Sequence, residues 1–567
     1  MKTKTLILAA LGVSIPATCA GDSPRSLVFS GDIQNPNDRT FVNSVVGWDL
    51  FFNSGFLGAS TVIGNVEAGH IWTGHEAFDR LTGVTNSVSN FSNTAVGAIN
   101  EIDYHATAVG HVLAGSGHLS TLNGEDYSLV GVGMAPEATV VSGAIATGFS
   151  STDFGSFSIS QESAVNVYRA FFQGSGAAQA DVINSSWGGG DPAGAGTLTV
   201  ALDGLARENS TVALVVSAGN GGSAAVVAPA SGFNNISVGS VGGSTFLVPS
   251  SFSSRGASDF YNPQTGVTLT GVRSAVDIAA PGERMFLAAY LGDSGSIGAG
   301  IPNLVQEPSP TNLYFLEQDG TSFSSPMVAG GIALLKDAAN TILAGEANAM
   351  DTRVIKSVIM AAARETTGWN NGQNAMNVTT QGLDAVTGAG TLDLVAAADV
   401  YYFGTTDVAT AGETIANTGW DSATIDLGDI FEYEFTATFT QSMALTAALN
   451  WFSVRDFDDL TGNGSDIAFA NLDLQVWSID GSGQFLAKVG ESMTTYNNSE
   501  FLRIDALDPG RYGLRVLYHS NVYDTSGVVN SENYGIAWRA VAVPEPSAAI
   551  LLAMAALVLG RRRIRND

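Results

Sequence analysis

Apolar residues run almost without a break at 61–67, 138–143, 181–187, 212–218, 235–241 and 275–280. Runs of that kind suit strands covered on both faces, as in a parallel sheet. Between them apolar positions recur at helical spacing, best at 105–115, 159–173, 196–208, 322–341 and 351–364. The alternation predicts an α/β domain over 58–402, a mostly parallel sheet with helices on both faces. Ligands bind such sheets beyond the carboxyl ends of the strands. After Tyr402 the period drops to two, as in Phe431-Glu432-Tyr433-Glu434-Phe435, Leu472-Asp473-Leu474-Gln475-Val476 and Tyr512-Gly513-Leu514-Arg515-Val516. Residues 425–542 therefore read as an all-β sandwich, with the Gly/Thr-rich stretch 403–424 as linker. Residues 21–57 are polar and Gly/Asn-rich with short apolar runs such as Val45-Val46, and their pattern assigns them no role.

The ends follow other patterns. Lys2 and Lys4, an apolar core from Leu6 to Ile15 and small residues ending at Ala20 predict a secretory signal peptide over 1–20. Its Cys19 is the single cysteine, so cleavage leaves a chain without disulfides. At the other end, over 543–567, Val543-Pro544-Glu545-Pro546-Ser547 precedes an apolar run from Ala548 to Gly560 and then Arg561, Arg562, Arg563 and Arg565. That run is shorter than the ~20 residues that cross a bilayer comfortably, and the arginines mark a cytoplasmic end. With 53 acidic and 24 basic residues the formal charge is -29, which disfavours nucleic acid or anionic lipid as a partner of the folded body.

Candidate chemistry begins at Asp319-Gly320-Thr321-Ser322-Phe323-Ser324-Ser325-Pro326. Gly320 permits a tight turn, and the residues from Ser322 to about Leu335 are apolar on every side, as in a helix buried at a domain centre. Ser322 at the start of that helix is either a nucleophile or an ordinary cap, and Pro326 is expected within the first turn, where its missing N–H costs little. His105 opens a helical run of small residues and is either a general base or a plain helix-start histidine. Asn220, in Ser217-Ala218-Gly219-Asn220-Gly221, either presents an amide to an oxyanion or forms a turn. Ser186-Trp187-Gly188 is either a loop or an extended edge that pairs with a peptide.

Taken in order, these segments resemble the subtilisin-like serine peptidases, or subtilases, over roughly 58–402. Val66-Glu67-Ala68-Gly69 with His75 downstream resembles the acidic-residue motif, and the run from His105 the histidine motif. Met134-Ala135-Pro136-Glu137-Ala138 and Val182 to Gly188 resemble the segments that precede and build the substrate cleft. Ser217 to Asn220 resembles the oxyanion-hole segment, Ala280-Pro281-Gly282 a later turn, and Gly320 to Pro326 the nucleophile motif. The resemblance implies catalysis by Glu67, His105, Ser322 and Asn220, and substrate binding by Ser186, Trp187, Gly188, Ser217, Ala218 and Gly219. Two departures stand out: the triad aspartate is a glutamate, Glu67, and 21–57 is short for the family's propeptide. Sedolisins also use a glutamate, but His105 and Asn220 argue against them. Leu445 to Trp451, Asn471 to Leu474 and Pro509 to Tyr512 resemble the sandwich that follows the catalytic domain in several bacterial subtilases.

The tail resembles a PEP-CTERM sorting signal, which implies processing by an exosortase in a Gram-negative envelope after signal peptidase has acted, with transient membrane contact through the tail. A plain C-terminal anchor is the alternative. No cofactor is required for the chemistry. Family resemblance and the oxygens of Asp456, Asp458, Asp459, Asn463 and Asp466 in one Gly-containing loop make structural calcium a weak candidate, weighed against a solvated acidic loop. The expected protein is an exported, envelope or extracellular endopeptidase acting on polypeptides. Its rival is a catalytically silent protein that keeps the fold for peptide binding or surface display.

Overall fold

The computed structural model describes residues 29–543 except 31–39, 79–90, 93–96, 100, 123–124, 150–155, 176, 291–303, 307–312 and 409–413. The expected signal peptide, and the sorting tail beyond Val543, lie outside the described residues. The central sheet is built from β1 (Val62–Glu67), β2 (Thr139–Ala144), β3 (Val182–Ser185), β4 (Ala213–Ser217), β5 (Ile236–Gly242) and β6 (Ile278–Pro281). These are mutually parallel in the order β2-β1-β3-β4-β5-β6, with short strands at 91–92 and 248–249 completing it. Between β1 and β3 the order reverses: the chain leaves β1 toward β2 and returns on the other side of β1. A crevice opens at such a reversal, beyond the carboxyl ends of the two strands. There Ser185 pairs with Val66, so Glu67 and Ser186 leave the sheet side by side.

Helices α1 (Tyr104–Ala114), α2 (Gln161–Gln173), α3 (Thr197–Glu208), α4 (Thr321–Ile342), α5 (Thr352–Ala362) and α6 (Leu394–Tyr402) cover the sheet. α4 is buried from Thr321 to Ala339 and packs on β3, β4, β5, β6 and α1, which explains why its sequence is apolar all round. Residues 42–57, given no role by their pattern, pack into the peptidase half. Val42, Val46, Trp48 and Phe51 are buried in the same core, and the Trp48 indole donates to the Met134 carbonyl at 2.8 Å.

Beyond α6 come β7 (Thr418–Asp426), β8 (Ile430–Phe435), β9 (Met443–Trp451), β10 (Val454–Asp458), β11 (Asn463–Ile479), β12 (Phe485–Ser492), β13 (Ser499–Leu507), β14 (Arg511–Asp524) and β15 (Ser531–Ala542). They form two sheets, one centred on β12-β11-β14-β8 and the other on β7-β15-β9-β13, with Tyr433, Leu445, Leu474, Val516, Ile536 and Trp538 buried in a shared, sandwich-like core. The expected linker 403–424 is not a free tether. β7 starts at Thr418 inside it, and Trp420 is fully buried with its indole donating to Tyr401 O at 3.0 Å.

The two halves meet over a continuous seam, α5 against β9 and β15 and α3 against β10 and β11. Contact is close enough to require glycine: a Cβ on Gly535 would lie 2.5 Å from backbone atoms of Arg353 and Val354. Within the seam Arg455, almost wholly buried, pairs with Asp203 at 2.8 Å and with Asp466 at 2.6 Å.

Candidate active site

Glu67 ends β1 and is buried, with one side-chain oxygen on each of two donors. Oε2 lies 2.9 Å from Nδ1 of His105, and Oε1 accepts from the Ser186 backbone N–H at 3.0 Å. His105 is the second residue of α1, whose N-cap Asp103 accepts from the Ala106 N–H. Placed against a carboxylate, Nδ1 carries the ring proton, which leaves Nε2 as the base when the ring is neutral. Burial pushes the His105 pKa down, but the charge and hydrogen bond of Glu67 and the charge of Asp103 prevail and raise it above its ordinary value. Burial lifts the Asp103 carboxyl to about 6.

Ser322 is the second residue of α4, held at the sheet's carboxyl edge by the turn at Gly320 and Gly282. A Cβ on Gly282 would fall 2.3 Å from Ser324 Oγ and 2.7 Å from Gly320 O, so Ala280-Pro281-Gly282 needs its glycine for α4 to start here. The Ser322 hydroxyl donates to the Ser186 carbonyl at 3.2 Å, and the Ser186 hydroxyl donates back to the Ser322 carbonyl at 2.9 Å. The second bond corrects the expected role of Pro326. The helix begins at Thr321, so Pro326 is its sixth residue and leaves the Ser322 carbonyl without the usual i+4 donor. Ser186 fills that vacancy. Ser322 Oγ and His105 are not hydrogen-bonded to each other among the described residues, and a turn about the serine χ1 moves the hydroxyl off Ser186.

Asn220 stands in the turn after β4, where Gly219 has φ +103°. Its Oδ1 accepts from both the N–H and the hydroxyl of Thr321, each at 2.9 Å. With the oxygen so held, the NH₂ group is turned away from Thr321, and Nδ2 would lie 3.6 Å from a Cβ on Gly320. The Thr321 hydroxyl in turn accepts from the Gly219 N–H at 3.1 Å. Thr321 was not among the residues picked from sequence, although it sits in the nucleophile motif. An amide and a helix N-terminus beside a hydroxyl can together stabilise developing negative charge.

Ser217 closes β4, and Ala218 and Gly219 lead into the Asn220 turn; the Ala218 N–H donates to Val238 O at 2.9 Å. Ser186, Trp187 and Gly188 do not continue β3 as a strand. They flank a cavity of about 200 Å³ that also takes in Glu67, His105, Tyr104, Phe149 and Phe157. The Trp187 indole donates to the Tyr168 hydroxyl at 3.1 Å. Larger cavities, about 610 and 300 Å³, lie on the seam and touch none of these groups.

Each side chain of the candidate calcium loop has a protein partner. Asp456 pairs with Arg207 at 2.8 Å, Asp466 with Arg455, Asp458 accepts from Thr461, Asp459 from Gln173 and Asn463 from Gln161. Among the described residues no group of three or more His, Cys, Asp or Glu side chains could hold a metal ion.

No curated protein matches the chain. Among solved structures it is similar to the prenylagaramide maturation protease PagA, at 19% identity over 62% of this chain and 96% of that one, TM-score 0.42. It is also similar to the serine protease of Aeromonas sobria, at 12% identity over 87% of this chain and 91% of that one, TM-score 0.45. The model of the subtilase family matches residues 65–390, more than half of the chain and every segment of the site. The chain belongs to the subtilase family and is a subtilisin-like serine endopeptidase.

Proposed function

We propose that the peptidase forms an acyl-enzyme on Ser322, with His105 as general acid/base and Glu67 in the place of the family's aspartate. The observation that carries this is the Glu67 carboxylate bridging His105 Nδ1 and the Ser186 N–H. Ser322 Oγ attacks the scissile carbonyl while its proton passes to His105 Nε2, and the oxyanion accepts from Asn220 Nδ2 and the Ser322 N–H. Collapse of the intermediate returns that proton to the leaving amine. Water then attacks the acyl carbonyl by the same route, releasing the acid and restoring the serine.

One observation favours the silent rival, the resting hydrogen bond of Ser322 to Ser186 in place of His105. A serine-directed fluorophosphonate separates the two. Labelling of the unaltered protein and its loss in Ser322→Ala support the enzyme, whereas folded protein that stays unlabelled supports the binding module. Glu67→Gln keeps the shape but removes the charge, and is expected to cost on the order of 10³–10⁴ in kcat, while Glu67→Asp keeps measurable turnover. Turnover by Glu67→Gln at the parental rate would falsify the triad.

The sequence signals at the ends support export and release after exosortase processing. Intact-mass measurement on envelope protein checks this, and a chain still ending at Asp567 favours a plain anchor. Structural calcium is tested by thermal melts with calcium and with chelator, where equal midpoints dismiss it.

A further inference from the structure

The seam cavity of about 300 Å³ is lined by Arg364, which follows α5, by Arg503 of β13 and by Arg539 of β15. The sheet register brings two of them together. Thr446 on β9 pairs with Arg503 on one side and with Arg539 on the other, so both guanidinium groups leave the same face at the same level. Thr446 donates to Ala361 O, which turns this face toward the end of α5 and toward Arg364.

Arg503 is also stacked over Trp369 and Phe501, yet each of the three groups keeps a donor unmet. Arg503, nine-tenths buried, donates to the carbonyls of Ala363 and Ala389 and lies 3.5 Å from Glu365, but its Nε has no acceptor. Burial lowers its pKa despite Glu365. Arg364 donates to Val45 O, and its buried Nε is 3.7 Å from Asp393, too far for a hydrogen bond. Arg539 is alone among the described arginines in making no side-chain hydrogen bond or ion pair, and its Nε too is buried without an acceptor. The cavity's carboxylates are otherwise placed. Glu365 and Asp505 are exposed at the rim, and Asp393 caps α6 through the N–H groups of Val395 and Ala396.

We propose that this cavity is an oxyanion site, in which a carboxylate or phosphate-type anion accepts from Arg539 and from its neighbours Arg503 and Arg364. Guanidinium forks match such oxygens bidentately, and an anion set among the three groups meets their open donors. The ligand bridges the two halves, because Arg364 comes from the peptidase side and the other two from the sandwich. In a chain of net charge -29, a site for anions must be built locally by such a cluster.

Thermal unfolding and calorimetric titration of the full chain test this, with inorganic phosphate and glucuronate each compared with chloride at equal ionic strength. A saturable rise in midpoint with phosphate alone assigns a free phosphate-type anion, with glucuronate alone the carboxylate of a sugar acid, and with both a site for any oxyanion. Arg539→Gln should bind roughly tenfold more weakly or worse, the loss of one charge-assisted hydrogen bond, and Arg539→Lys should recover part of it. No response beyond that of chloride overturns the proposal, as does an unchanged response in Arg539→Gln. If Arg539→Gln does not fold, titration of the unaltered protein decides alone.

Discussion

Thr321 shows how much a single side chain can settle at this site. Its hydroxyl and N–H hold the Asn220 oxygen, and so aim the amide donors. Asn220→Ala should lower kcat by on the order of 10²–10³ with little change in KM, as for other oxyanion-hole donors. Thr321→Val keeps the backbone bond and loses the hydroxyl, so its kcat should fall between that variant and the parent; a Thr321→Val enzyme with parental kcat means the backbone bond suffices. The pH profile tests the other side of the site. His105 must be neutral to act as base, and its pKa is raised against burial by Glu67 and Asp103, so the acid limb of kcat/KM should lie above the ordinary histidine value of about 6.5. Asp103→Asn keeps a helix cap but removes one of the charges that favour the imidazolium, and should move that limb to lower pH. A limb that stays in place excludes Asp103 as a contributor.

Among elements, the contact of α5 with β15 is the most constrained. Gly535 lets the strand backbone lie against the first turn of the helix, and from the next turn the Ser357 hydroxyl donates to Gly535 O at 2.8 Å. Gly535→Ala places a methyl against backbone that cannot rotate away, so the elements must part. The expected loss is about 1–3 kcal/mol by chemical denaturation, typical of overpacking. Stability equal to the parent's would mean that the seam is more compliant than its geometry. α4 makes a related point. Pro326 in its second turn is accommodated because β3's exit supplies Ser186, so the helix and the site share one hydrogen bond.

At the scale of the whole molecule, the sandwich-like region is bound to the peptidase half as part of one body. Arg455 joins Asp203 of α3 to Asp466 of β11 in a nearly water-free setting, and the Asn234 amide donates to Ser453 O across the same seam. Removing one member of a buried charge group leaves its partners unpaired, so Arg455→Ala should cost about 3–5 kcal/mol. Both halves should still unfold in one transition, because the core of the first includes Ala448, Phe501 and Ala537 of the second. Two separate transitions in calorimetry of the unaltered protein would contradict that coupling.

What the chain carries locally was legible in its sequence. Buried strands and helices announce themselves through apolar periodicity, because burial on both faces leaves no polar positions, and so β1, β3, β4 and α4 lie where their runs predict. Ser322, His105 and Asn220 stood out because motifs keep their local turn chemistry. Decisions between distant residues left no such mark. The bridge from Glu67 to Ser186 spans 119 positions and that from Ser186 to Ser322 spans 136, and each depends on strand order, which periodicity does not encode. Likewise Trp48 and β7 were passed over because short, mixed stretches show no period until a core exists to receive them, and the acids at 456–466 drew attention as a loop while Arg207, the partner of Asp456, lay 249 positions away. Local pattern decides which elements form, since backbone geometry repeats within a few residues. Only tertiary packing decides which side chains share a low-dielectric space, and there the chemistry of this site is set.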